Sequence, residues 1–147
     1  IGKAIQDYGE LESKSWKAKE DTAINIDNKQ GKFYQDLLTN FSKRNQAVIY
    51  QYLYNDQLAA TDLCIYDETN IIILKTTYDE KIEGSSPAML MRQDAFQEII
   101  DGKLCNNIEF YGKVMDWHRK WSTEIRRMYH VNFFNSFVLF LKKLLNH

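Results

Sequence analysis

Three short stretches of this chain hold residue types that can do chemistry. Tyr78-Asp79-Glu80 closes a β-rich run and places carboxylates where a general base could take a proton from an amine or hydroxyl, given burial that raises their pKa. Otherwise it is a solvated turn. Ser85-Ser86-Pro87 then opens a helix: serine suits the cap, and the only proline of the chain suits the first turn. The first-turn amides of a helix and its partial positive charge are what a pyrophosphate needs, so Ser85, Ser86 and the amides of Ala88, Met89, Leu90 and Met91 form a candidate anion cradle. Arg92, one turn in, could add a cationic contact. The plainer alternative is a well-capped helix. The third stretch runs from Trp117 to Arg127, with Arg119, Lys120, Arg126 and Arg127 set around Trp117 and Trp121. Bases interleaved with aromatics can hold single-stranded nucleic acid, a tRNA or a nucleotide 3′-phosphate, or can form a solvated loop with buried tryptophans. His118, in the same stretch, titrates near neutral pH and is a second candidate base.

The elements that must position these residues follow from hydrophobic period. Phe33, Leu37, Leu38 and Phe41 recur at helical spacing and predict an amphipathic helix over 30–44. Three β-rich runs follow, 47–54, 58–66 and 71–78, joined by Asn55-Asp56 and Asp67-Glu68-Thr69-Asn70, which predicts an antiparallel meander. Met89, Phe96 and Ile100, flanked by Ala88, Ala95 and Ile99, predict a helix stopped at Asp101-Gly102. A buried strand is expected over 107–111, a last strand over 128–134, and a closing amphipathic helix through Phe137, Leu141 and Leu145. Residues 1–28 read as a mixed polar connecting segment. The class is α/β.

The balance of charges excludes simple electrostatic functions. With 19 basic and 20 acidic residues in 147, nothing draws the whole chain to nucleic acid or an anionic membrane. Its 44% hydrophobic content is enough for one core without staples. Cys64 and Cys105 have no CxxC or Cys/His partner pattern and are expected as reduced core residues of a cytoplasmic protein. No metal-ligand set, P-loop, nucleophile elbow or GxGxxG is present, and no apolar run is long enough for a membrane span. A chain opening at Ile1 suggests a piece of a longer one.

The order of these pieces is similar to that in a known family. Asp56 to Ala60, Tyr78-Asp79-Glu80, Ser86-Pro87-Ala88-Met89-Leu90, Glu109-Phe110 and Trp117-His118-Arg119-Lys120-Trp121 resemble the successive motifs of the acetyltransferase-like domain in FemAB-related and cellulose- or exopolysaccharide-biosynthesis acyltransferases. Glu12-Ser13-Lys14-Ser15-Trp16-Lys17 resembles the segment that precedes it. The family has glycine at Ala88 and lysine at His118. The resemblance implies a GNAT-like fold, a mixed and mostly antiparallel sheet flanked by helices, as one domain over 1–147. It further implies an acyl-CoA donor such as acetyl-CoA, bound by Tyr78, Ser85, Ser86 and Ala88–Arg92, with Asp79, Glu80 and His118 as catalytic candidates. Trp16, Lys17, Trp117 and Trp121 would bind the acceptor, a small molecule or glycan precursor. The relatives pair two such domains, so an N-terminal partner domain is expected. Two alternatives stay open: an aminoacyl transfer from charged tRNA, and a non-catalytic scaffold.

Overall fold

The computed structural model describes residues 1–15, 24–122, 124–129 and 131. Two compact units appear, Ile1–Lys113 and Val114–His147. The first holds every strand among the described residues. In it, helices α1 (Gly2–Glu12) and α2 (Lys29–Ser42) precede strands β1 (Ala47–Tyr54), β2 (Gln57–Tyr66) and β3 (Asn70–Tyr78); helix α3 (Pro87–Gly102) and strand β4 (Asn107–Phe110) follow. The sheet order is β1-β2-β3-β4, antiparallel except for the parallel β3–β4 pair that α3 connects.

The expected meander is present, and its turns show why. Asn55 and Asp56 both take positive φ (49° and 60°), the backbone a two-residue hairpin between twisted strands needs. At the next turn, Asp67 Oδ1 accepts the amides of Thr69 and Asn70, each at 2.7 Å, and those bonds hold its carboxyl below the usual range.

Alternation along the strands divides the core in two. Ile5, Tyr8, Ile24 and Leu38 pack with Leu63, joined by Ala47, Ile49, Ile65 and Leu74, so α1 and α2 cover one face. Cys64, Ile71, Ile73 and Ile99 pack with Val48, Phe96, Ile108 and Phe110 under α3, and Ala60, Ala88 and Met91 extend that layer beneath Tyr50 and Tyr52. Burial pushes the Tyr50 phenol up to about 12. Cys64 and Cys105 are free thiols as expected, but only Cys64 is fully buried; Cys105 lies half-exposed after α3.

Several sequence expectations need correction. Residues 1–28 are not simply a connecting segment: Ile5, Tyr8 and Leu11 place one face of α1 in the core. In α2 the covered positions are Gly31 and Leu38 with Tyr34 half-buried, while Phe33 is 58% exposed and lies edge-on to Tyr34. In α3 the stripe runs Ala88, Met91, Arg92, Ala95, Ile99, which leaves Ile100 outside; the left-handed residue ending the helix is Lys103, one past Gly102. Met128, Tyr129 and Val131 are exposed irregular chain rather than a strand, with no strand partner among the described residues. The rest of that strand and the closing helix lie outside the described residues.

Two glycines allow the returning chain to lie against α1 and α2. A β-carbon on Gly9 would stand 2.5 Å from the Ile24 carbonyl oxygen, and one on Gly31 would drive into the Asn25 carbonyl. Asn28 then caps α2 by accepting the Gly31 amide at 2.8 Å. Because the obstacles are backbone atoms, side-chain repacking cannot relieve the clash. Gly31→Ala is therefore expected to destabilise the domain by about 2–3 kcal/mol, the upper range for overpacking, read as a lowered denaturant midpoint at unchanged slope.

Candidate functional site

The candidate groups of the first unit meet around the end of β3. The parallel ladder pairs Asn70–Ile73 with Asn107–Phe110 and closes with the Tyr111 amide donating to the Ile73 carbonyl at 2.9 Å, whereas β3 continues to Tyr78. On its other side β3 stays fastened to β2: the Asp79 amide donates to the Ala59 carbonyl at 2.8 Å. That bond fixes the phase of the antiparallel ladder, so Thr77 and Asp79 turn their backbone groups to β2. Thr76 and Tyr78 turn theirs to the side where β4 has stopped. One group of this edge is taken from an unforeseen direction: the Tyr8 hydroxyl, on α1, donates to the Thr76 carbonyl at 2.9 Å. The same hydroxyl proton is shared with the buried Glu12 carboxyl, whose Oε1 stands 3.2 Å away, and burial with Glu12 beside it pushes the phenol well up. Glu12 Oε2 in turn accepts the Ile24 amide at 2.7 Å.

Two bulges shape this region. Ala59 is an extra residue on β2 between the pairs Tyr52–Ala60 and Leu53–Leu58, and Leu74 is an extra residue on β3 between Leu63–Lys75 and Cys64–Ile73. The first interrupts the β1–β2 register at the residue whose carbonyl Asp79 uses. The second sits directly beyond the last β4 pair.

Of the residues singled out from sequence, Tyr78 and Glu80 are exposed at this strand end; Asp79 is half-buried and its Oδ1 accepts the Lys81 amide at 2.9 Å. A loop with Gly84 at φ 76° leads to α3. Ser85 and Ser86 are exposed, but the Ser86 hydroxyl makes no capping bond, contrary to its expected role. The amides of Met89 and Leu90 already donate to the Ser86 carbonyl, at 2.9 and 3.0 Å, and Ala88 and Met91 bury their side chains on the sheet. The first-turn amide that helix geometry leaves for a ligand is that of Ala88.

Arg92 is corrected more strongly. It is 3% exposed; its Nε donates to Asp62 Oδ2 at 3.0 Å, a second nitrogen to Asp62 Oδ1 at 3.1 Å, and the same nitrogen also donates to Thr76 Oγ1. The guanidinium carbon also stands 5.7 Å from the Phe110 ring centre. This arginine ties α3 to β2 and β3 instead of offering a cation to solvent, and an acidic substitution would set two carboxylates together. Burial pushes the Asp62 carboxyl up, against the pull of Arg92 and Thr76.

The second unit carries the other candidates. Trp117 and His118 lie in a one-turn 3-10 helix, Asp116–Lys120, with Trp121 just after it, and the two rings of Trp117 and His118 stack at 3.6 Å. His118 Nδ1 lies 2.9 Å from the Met115 amide nitrogen and 3.3 Å from the Met115 carbonyl oxygen, so this ring nitrogen is engaged with the backbone. Trp16 and Lys17 lie outside the described residues. No group of His, Cys, Asp and Glu among the described residues could hold a metal.

Sequence reasoning missed Tyr8, Glu12, Asp62 and the two bulges. A signal was present for the first two, Ile5, Tyr8 and Leu11 at helical intervals with Glu12 beside them. An aspartate inside an otherwise apolar strand marks Asp62 as needing a buried partner.

The family model described as "Acetyltransferase (GNAT) domain" matches residues 3–119. Among solved structures, a possible acetyltransferase from Clostridium difficile 630 superposes with a TM-score of 0.65 at 12% identity, covering 92% of this chain and 95% of that one. A Trypanosoma brucei acetyltransferase gives 0.60 at 11% identity over 90% and 95%. An aminoglycoside acetyltransferase from an uncultured soil metagenomic sample, in complex with sisomicin, gives 0.60 at 12% over 92% and 90%. No curated protein matches the sequence.

The Asp62–Arg92 pair makes a quantitative expectation. Asp62→Ala leaves the guanidinium buried without its carboxylate and should cost about 3–5 kcal/mol, while replacing both partners by apolar residues of similar volume should cost markedly less. Urea melts of the two variants check the ordering.

Proposed function

This chain belongs to the acetyltransferase (GNAT) domain family, and from that premise we propose that it moves an acyl group from acyl-CoA to an amine or hydroxyl of a sugar or cell-envelope glycan precursor, in the cytoplasm. The observation that carries the donor half is the stretch of β3 running past the end of β4, beside the loop that delivers the start of α3. The pantetheine arm of CoA is an extended chain with two amides. Such a chain adds to a strand edge as another strand would, here at the end of β3 around Tyr78, whose backbone groups face away from β2. Its pyrophosphate then falls to the Ala88 amide, the Ser85–Ser86 backbone and the positive end of α3.

In this reading the thioester sits at the Leu74 bulge and the acceptor approaches from the α1–α2 side. Attack on the thioester carbon forms the new C–N or C–O bond, breaks the C–S bond and releases CoA as a thiol. Asp79 and Glu80 lie five and six residues on from that bulge, roughly 16–20 Å at strand rise, too far to take the acceptor's proton. That proton ends on the departing CoA sulfur. The sugar-precursor class rests on the resemblance to exopolysaccharide acyltransferases. The sisomicin complex of a fold neighbour shows that protein holding an amino-sugar compound. No helix among the described residues is long and apolar enough to cross a membrane, which suits an acceptor met in water.

Acetyl-CoA at one hundred times its dissociation constant should stabilise the domain by about 2.7 kcal/mol. Ser86→Asp supplies a good helix cap and a negative charge at the proposed pyrophosphate, so it should keep or raise the melting temperature while removing most of that ligand shift. A wild-type chain that neither binds acetyl-CoA in a titration nor releases thiol with a panel of amino sugars would defeat the enzymatic reading in favour of a scaffold.

A further inference from the structure

Lys75 is the nucleophile at the β3 bulge that the proposed reaction leaves unused. Among the described residues it is the only lysine on a strand, and every other lysine is exposed whereas Lys75 is half-buried.

The bulge decides where this side chain goes. Ile73 pairs with Cys64 and packs under α3, while Lys75 pairs with Leu63, a core residue of the α1–α2 layer. The extra residue Leu74 packs in that layer too, so two successive side chains of β3 point the same way. An unbroken strand would send one of the two to the α3 side. The Lys75 ammonium then lies 5.7 Å from the centre of the Tyr34 ring on α2, where the ring face attracts it. Its own backbone is one residue from the bulge, about 3.3 Å along the strand. The flexible four-carbon stem lets the amine swing back over that distance.

We propose that Lys75 is a site of self-acetylation, its amine taking the acetyl group when acetyl-CoA is bound and no acceptor has entered. The inference rests on the reading that sets the thioester at the Leu74 bulge with the acceptor arriving from the α1–α2 side, since Lys75 already stands on that side. The ammonium first gives one proton to water. The free amine attacks the thioester carbon, the C–N bond forms and the C–S bond breaks. The proton then lost from nitrogen ends on the departing sulfur, and CoA leaves as a thiol. The product is a neutral acetyl-lysine, and no further reactant is consumed. An amine tethered beside the bound thioester competes as an intramolecular group, at a high effective concentration. Acetylation removes the charge that faces Tyr34 and adds bulk where the acceptor arrives. A chain supplied with donor alone therefore closes its own acceptor side.

Exposure makes the test discriminating. Unassisted acetylation in solution favours exposed amines, so a preference for the half-buried lysine needs the bound donor. The whole chain is incubated with acetyl-CoA alone and mapped by peptide mass spectrometry. Lys75 should acquire its acetyl group about tenfold or more faster than any exposed lysine, at a rate per chain that does not change with chain concentration. Lys75→Arg keeps a cation for the Tyr34 ring and should abolish that modification while the slow labelling of exposed lysines continues. Ser86→Asp, which weakens donor binding, should slow labelling at Lys75 alone. Acetyl-CoA binding without modification of Lys75, labelling that follows exposure, or a rate that rises with chain concentration would overturn this inference and leave the acyl-transfer reading standing. A chain that fails to bind acetyl-CoA would overturn both.

Discussion

The contact on which the arrangement depends is the buried cluster of Arg92, Asp62 and Thr76. Two charges removed from water are costly unless each finds a geometrically good partner and the remaining hydrogens are satisfied. Here the guanidinium meets both carboxylate oxygens and the threonine hydroxyl. An apolar contact in the same place would hold α3 against the sheet about as firmly but would tolerate sliding. A fork of hydrogen bonds from one helix to two neighbouring strands does not, because a shift along the helix axis leaves a buried donor unmade. The start of α3 is thereby fixed relative to the end of β3, which is the relation the proposed donor site requires.

Thr76 is held from both layers. Its hydroxyl is used by Arg92 from α3, and its carbonyl by Tyr8 from α1. Tyr8 is itself set by Glu12, whose other oxygen receives the Ile24 amide of the chain returning to α2. The polar groups of the interior thus run in sequence from the first helix through the sheet to the third. Gly9 and Gly31 belong to the same system, since they let the Ile24–Asn25 backbone approach closely enough for α1 and α2 to share one core. Thr61 Oγ1 is the one buried side-chain polar atom among the described residues with no hydrogen-bond partner, and it sits opposite Thr77 on β2.

How much was legible in the sequence follows from the range of each interaction. The meander was readable because alternation and turn chemistry are local: Asn55-Asp56 and Asp67–Asn70 carry their own instructions. The helix opening at Pro87 was local too, and its first residue came out as expected. What failed was long-range. Arg92 looked like a surface cation because its partner lies thirty residues away on a strand; only the fold brings Asp62 beneath it. Helix α1 was obscured by glycines at positions 2 and 9 and by a polar outer face, where Lys3 pairs with Asp7 and Gln6 with Glu10. The bulges at Ala59 and Leu74 leave no mark in composition, since each is a single extra residue within an ordinary apolar strand.

The bulge in β3 nonetheless gives the candidate site its shape. The extra Ala59 breaks only the β1–β2 register; toward β3 ordinary alternation continues and turns its carbonyl to Asp79. A regular β3 would keep Leu74 and Lys75 on opposite faces, yet Leu74 packs in the α1–α2 layer and the Lys75 ammonium lies 5.7 Å from the Tyr34 ring centre in that same layer. The extra residue changes the strand's phase at the point where β4 ends. Thr76 then faces Arg92 with its side chain, while its carbonyl, turned away from β2, meets the Tyr8 hydroxyl. Pairing toward β2 continues while pairing toward β4 stops, and that asymmetry is what a sheet needs to present a fixed edge to an extended amide-bearing ligand.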